Sequence, residues 1–271
     1  MKKTGNSVPD VVFSSNNNLR VPTRLGKEPI VSAVCEIRFA SELPVAQLLP
    51  GALYQHFAAQ DPGVTIASLP SSELPPAIRA GDINLRYAPV TAVKTSMGSI
   101  HISDFSIGVI APMPYPGWTK FEAFLASVFD VVWKLNIVRR MERHSIKAID
   151  FLRGSFFSFP PHAGLNLRLE VSGVSLAELP TTIRSEVRFN DAIHVIEMQT
   201  MVTERKSSGE EENGALLSVD SVVTHDAASA SGIPTLSDLV SSFRTLHVSN
   251  KQVFFHCLSD AAIEALEPTY A

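Results

Sequence analysis

Side chains that could transfer protons or bind metal are few and scattered in this chain. Eight histidines occur: His56, His101, His144, His162, His194, His225, His247 and His256. No two stand four residues apart, as ligands on one helix face would, and Cys-x-x-Cys is absent, so a zinc site has little support. His101 with Asp104, and Asp220 with His225, are the two fragments of an acid–base set. Isolated strand histidines are ordinarily satisfied by water or backbone, and these are read that way. There is no nucleophile elbow, no phosphate-binding glycine loop and no dinucleotide fingerprint. Ser207-Ser-Gly209 reads as a loop. No catalytic or metal-binding residue is nominated, and no cofactor is expected.

Charged residues offer more. Lys134, Arg139, Arg140, Arg143 and Lys147 follow the clearest helical pattern, where cations offset the helix dipole at a solvated end. Arg139, Arg140, Arg143 and Lys147 are also the candidate contacts for an anion, a nucleic acid or a partner, a reading weakened by Glu142 among them. Glu36 and Arg38 share one strand face by the two-residue period. They are echoed by Glu186 and Arg188 in Ser185-Glu-Val-Arg-Phe189, and a repeated Glu–Arg pair fits sheet architecture better than catalysis. His247 and Asn250 fall together on the last long helix, where a polar pair on a half-apolar surface could set a contact between halves or with a partner.

The elements that must position these residues follow from pattern. Residues 1–28 read as a flexible tail, with Ser14-Ser-Asn-Asn-Asn18 favouring turns. Ile30 to Phe39 is a strand, with Cys35, Ile37 and Phe39 on its apolar face. A helix spans Pro44 to Gln60, its start set near Pro50-Gly51. The proline-dense 61–81 stretch is an irregular connection with one short strand near Val64–Leu69. Asn84–Tyr87 and Ile100–Ile110 alternate as strands, with Met97-Gly98 as a hairpin turn. Trp118, Phe121, Leu125, Val128, Val132 and Leu135 form one helical stripe, capped by Thr119-Lys-Phe-Glu122. Ser145–Leu152, Leu165–Val171, 183–190, 193–204 and Ala215–Thr224 are strands, with a turn at Asn190-Asp191 and a solvated tip at 204–213. Thr235-Leu-Ser-Asp238 caps the last long helix, and Ser259 or Asp260 starts a short final one.

The expected fold is α+β: antiparallel sheets with long amphipathic helices packed on one face, in two pseudo-repeated halves, 29–153 and 154–271, packed as one unit. The 271 residues suffice for a substantial core. With 45% hydrophobic and only 18% charged residues, either much of the surface is uncharged polar or some apolar surface is covered by a partner. A net charge of −4 argues against a strongly electrostatic nucleic-acid binder. Cys35 and Cys257 lie in apolar segments and read as free buried thiols. Met1-Lys-Lys-Thr-Gly-Asn-Ser7 lacks a signal-peptide core, and no window approaches the ~20 apolar residues of a membrane span. We expect a cytoplasmic protein with no membrane contact.

Pro29-Ile-Val-Ser-Ala-Val-Cys-Glu-Ile-Arg-Phe39 resembles the opening signature of a sporadically distributed bacterial family of unknown function and similar length. Trp118-Thr-Lys-Phe121 and the set Leu246-His247, Asn250, Phe254 and Leu258-Ser-Asp260 are similar to that family too. Ala148-Ile-Asp-Phe151 departs from the Arg-Tyr such families often carry there. The scattered distribution implies an accessory role, antiviral defence among them. Three readings stay open: a non-enzymatic protein-interaction or accessory subunit, with a protein partner or a homo-oligomer; a nucleic-acid binder using the 134–147 basic segment and a sheet face, with Tyr87 or phenylalanines stacking bases; and an enzyme with an unrecognised site.

Overall fold

The computed structural model describes residues 20–83, 85–205, 209–225 and 233–270, so the polar run 14–18 and the centre of the 204–213 tip lie outside the described residues. In chain order, β1 (Arg24–Leu25), β2 (Ile30–Ala40), α1 (Val45–Ala58), β3 (Thr65–Ser68), α2 (Pro76–Gly81), β4 (Thr91–Thr95), β5 (Gly98–Ile102), β6 (Ser106–Ile110), α3 (Trp118–Lys134) and β7 (Arg140–Arg153) lead to β8 (Glu170–Val171) and β9 (Val174–Ser175). Then come β10 (Thr182–Phe189), β11 (Ala192–Arg205), β12 (Glu211–Thr224), α4 (Leu236–His256), α5 (Asp260–Ala265) and β13 (Pro268–Thr269). Nine strands form an antiparallel sheet in the order β10-β11-β12-β7-β2-β6-β5-β4-β3, so the protein mixes helices with an antiparallel sheet. The chain divides into two compact units: 1–31 with 147–222 and 246–271, and 32–146 with 223–245.

The second unit is built on α1, α3 and the strands from β2 to β6. On β2, Cys35, Ile37 and Phe39 are fully buried on alternate positions, as a strand with one core face requires. On α3, Phe121, Phe124, Leu125, Val128, Phe129, Val131 and Val132 are buried, and Phe129 stacks on Phe243 at 5.7 Å. α1 starts at Val45, not near Pro50. Val45, Leu49, Leu53 and Phe57 are buried one turn apart, and that burial outweighs the hydrogen bond and clash, roughly 3 kcal/mol, that Pro50 costs inside the helix. Gly98 has φ 144°, and a Cβ there would collide with the Ile110 carbonyl, so only glycine lets β5 and β6 approach as they do.

Further expectations for this unit are corrected. Residues 85–87 form a turn instead of a strand, because the Asp82 carbonyl accepts from the N–H groups of Leu85 (3.1 Å) and Arg86 (2.9 Å); Asn84 lies outside the described residues. The 100–110 run is two strands, broken where Ser103 Oγ accepts from the Phe105 (3.1 Å) and Ser106 (2.8 Å) N–H groups. The 119–122 capping box is not made: Gly117 is the N-cap, and Glu122 accepts from Arg244 Nε at 2.9 Å. The cations expected at a helix end also move. α3 stops at Lys134, and Arg140, Arg143 and Lys147 lie on β7.

In the first unit, Leu152, Ile196, Met198, Leu217 and Val219 pack with Val253, Phe254, Phe255, Leu258 and Ile263 into one core. Gly214 lies under the Phe151 ring, where a Cβ would stand 2.5 Å from ring carbons. The β10–β11 hairpin turns at Asn190 (φ 49°) and Asp191 (φ 60°), the left-handed pair a two-residue turn needs. Leu165–Val171 is not a continuous strand. Leu165 makes a single bridge to Leu258, Asn166 N–H donates to the Cys257 carbonyl at 2.7 Å, and only Glu170–Val171 pairs, with β9. Alternation there satisfies the end of α4, not a sheet neighbour. Within the expected tail, Arg24–Leu25 pairs with Pro268–Thr269. The α4 cap forms as the sequence indicates, with Thr235 and Asp238 exchanging hydrogen bonds, and Ser259 Oγ accepts from Ala262 N–H at 3.2 Å to start α5. Cys35 and Cys257 are both free and buried. Among the described residues, no helix is long and apolar enough to cross a membrane.

Candidate functional site

Burial of Cys35, Ile37 and Phe39 forces Glu36 and Arg38 to the opposite face of β2, where both are half-buried. Arg38 Nε donates to Glu36 Oε1 at 2.6 Å, and Arg143 Nη2 of β7 stands 3.9 Å from the same oxygen. The turn at 85–87 delivers Arg86 and Tyr87. The Arg38 guanidinium lies over the Tyr87 ring at 4.3 Å; that of Arg86 lies 5.5 Å from the same ring and 4.7 Å from Phe105. Tyr87 Oη donates to Glu142 Oε2 at 2.9 Å. Glu142 Oε1 receives Arg140 Nη2 at 3.3 Å and Arg86 Nη2 at 3.8 Å. Burial, then the hydrogen bond and charge of Glu142, push the Tyr87 hydroxyl above its usual range and keep it a donor.

This cluster gathers positive charge on four guanidinium groups around the carboxylates of Glu36 and Glu142, within a chain of net charge −4. Arg86 (38% exposed) and Arg140 (53%) present it to solvent, while Arg38 and Arg143 are held inward. Planar, always-charged guanidiniums fixed by stacking suit paired recognition of carboxylates or other oxyanions.

Directly after Glu142 and Arg143, His144 meets His225 on one segment and Ser242 and Phe243 on α4. Its Nδ1 lies 3.0 Å from His225 Nε2, its Nε2 lies 2.7 Å from Ser242 Oγ, and its ring meets Phe243 edge-on at 5.2 Å. Burial, then His225 beside it, pushes the His144 imidazole down to about 4; burial lowers His225 as well. A Ser–His–His chain has the outline of a hydrolytic relay. Two observations argue against that use. A base titrating near 4 is poorly matched to neutral conditions. Ser242 is also the seventh residue of α4, where neighbouring backbone N–H groups are committed to the helix and cannot form an oxyanion hole beside it.

The first unit buries polar groups of its own. His194 Nδ1 lies 2.7 Å from Ser221 Oγ, and its Nε2 lies 3.0 Å from the Phe189 carbonyl and 3.2 Å from Ser249 Oγ. Asn250 Nδ2 donates to the Val219 carbonyl (2.9 Å) and to Ser221 Oγ (2.8 Å), both on β12. Asp150 is 2% exposed, and burial, then Glu28, lifts its carboxyl well above the usual range. Burial raises Glu28 and lowers Lys251, while their mutual attraction opposes both shifts. Burial, then Lys251, pushes His247 down to about 4.

The structure thus brings Glu36, Arg38, Arg140 and Arg143 into one network, while Arg139 and Lys147 are exposed. Glu186 pairs with Arg184 at 2.8 Å, and Arg188 is exposed on β10. Sequence reasoning missed Arg86, whose segment reads as a strand, and Asp150, whose only signal is one acidic residue in an apolar run. Among the described residues, no group of three or more His, Cys, Asp or Glu is placed to hold a metal ion. No protein-family model matches the chain, and no curated protein matches it.

Proposed function

We propose that this chain is a non-catalytic binding subunit that receives an acidic segment of a partner protein on the cluster of Arg38, Arg86, Tyr87, Arg140 and Arg143. The observation that supports this is the pair of pre-oriented guanidinium groups of Arg86 and Arg140, held by stacking and by Glu142 and turned to solvent. The resemblance to a scattered bacterial family extends the proposal to an accessory role, phage defence included. The two-halves reading, each half a meander with a long amphipathic helix, belongs to the same proposal.

Nucleic-acid binding is the second reading, favoured by arginine beside an aromatic ring. It fits less well. Guanidiniums already lie against the Tyr87 ring, which leaves that ring less open to a stacking base. The test is affinity capture of the tagged chain from its native host, alongside Arg86→Glu and Arg140→Glu. A stoichiometric protein partner held by the wild type and lost from both variants is the expected result. No such partner, or co-purified nucleic acid released steeply by salt, overturns the proposal.

A further inference from the structure

β10 is the outermost strand of the nine-stranded sheet at one end. It is eight residues long and pairs with β11 from Thr182↔Gln199 to Phe189↔Ala192 without a register shift. Outer strands are usually blunted by shortness, proline, a bulge or charged side chains, because their outward backbone groups can template another chain. Thr182–Phe189 carries no proline, and the bulge in β11 falls between Gln199 and Val202, beyond the β10 pairing. The charged side chains of β10 instead alternate in sign: Arg184, Glu186, Arg188.

We infer that β10 pairs with β10 of a second copy of this chain, antiparallel, with Ser185 on the two-fold axis. In that register Arg184 of each copy faces Glu186 of the other, and Ile183 faces Val187. The four charges form a square of alternating sign, and half-buried apolar residues meet on the opposite face. Within one copy Arg184 and Glu186 already pair at 2.8 Å, so the dimer doubles an existing contact. Centring on Arg184 or on Glu186 sets like charges opposite each other, and centring on Val187 shortens the overlap. Charge and length therefore select the Ser185 register. The dimer is independent of the arginine–tyrosine cluster and of what that cluster binds.

The test is sedimentation of the full chain over a concentration series. Wild type is expected to dimerise, and Arg184→Glu and Glu186→Arg each to weaken association roughly tenfold or more by opposing like charges. Mixing these two single variants restores a dimer, because positions 184 and 186 are both acidic in one and both basic in the other; the double swap Arg184→Glu with Glu186→Arg restores self-association. Ser185→Cys is expected to cross-link two copies with oxidised glutathione, since directly opposed strand residues lie within disulfide reach. Arg188→Cys, opposite Thr182 of the other copy, does not cross-link. A chain that stays monomeric, single variants that dimerise like wild type, or equal cross-linking at 185 and 188 would overturn the inference. Occupation of the edge by another protein or by residues 1–19 would show as such a monomer.

Discussion

Two strands carry nearly the same four residues and use them differently. In β2, Glu36-Ile-Arg-Phe39 places Ile37 and Phe39 at zero exposure, and Glu36 holds Arg38 at 2.6 Å with Arg143 near by. In β10, Glu186-Val-Arg-Phe189 leaves Val187 half-buried, and Glu186 turns to Arg184, with both charged side chains largely exposed. β2 lies within the sheet and β10 ends it. An inner strand must satisfy both backbone edges and both faces from its own chain, so its charges join a fixed network. An outermost strand keeps one edge and one face available. Position in the sheet decides whether the motif holds the fold together or offers a surface.

The largest effect that could break this comparison lies at the central residue of each motif. Ile37→Ala empties fully buried space and should cost about 2–5 kcal/mol. Val187→Ala, at a half-buried site, should cost about 1 kcal/mol or less. Denaturant midpoints at unchanged slope measure both. Equal losses would mean that β10 is as enclosed as β2.

Both strands were legible in the sequence because their signals are local: alternation in β2, and Asn190-Asp191 joining β10 to β11. The Thr235–Asp238 cap was legible for the same reason. Leu165–Val171 alternates as well as β2 does, yet it makes one bridge, from Leu165 to Leu258, and a two-residue pairing with β9, a tertiary fact that periodicity does not carry. The cations after α3 read as a helix end because nothing local marks the start of β7 at Arg140. Arg38 and Arg143 were identified individually, but their meeting at Glu36 depends on β7 lying beside β2, and the stacking of Arg38 on Tyr87 depends on a turn at 85–87 that the sequence disguises as a strand. Buried Asp150 was hidden for the converse reason, as burial is set by what packs over a strand rather than by the residue itself.

Acid should next separate the two regions. His144 follows the residues that β7 gives to the β2 network and titrates near 4 in the folded protein, against about 6.5 unfolded. A histidine with a depressed folded value contributes stability that is whole above about pH 6.5 and is lost as pH falls through about 4. The loss is on the order of 3 kcal/mol at most. Asp150 works the other way, because a raised carboxyl binds its proton in the folded state first and gains relative stability as pH falls. His144→Gln should therefore lose less stability than wild type between pH 7 and pH 4, in denaturation series at each pH. The imidazole resonances of His144 supply the second measurement should the variant fold poorly. A wild-type titration near 6.5 would detach His144 from the acid effect.

The smallest and most direct comparison is charge for charge. Glu36→Gln keeps shape but leaves Arg38 and Arg143 half-buried with a neutral acceptor, which should cost on the order of 1–2 kcal/mol. Glu186→Gln in dilute, monomeric protein should change stability by less than about 0.5 kcal/mol, because an exposed strand pair gains little over hydration. Added salt should shrink the second effect further and leave most of the first, since screening acts on exposed charges. If Glu186→Gln costs as much as Glu36→Gln below the association range, its charge is already committed inside one chain. The second copy would then have nothing to gain from Glu186, and β10 would be a closed edge whose resemblance to β2 extends to function as well as sequence.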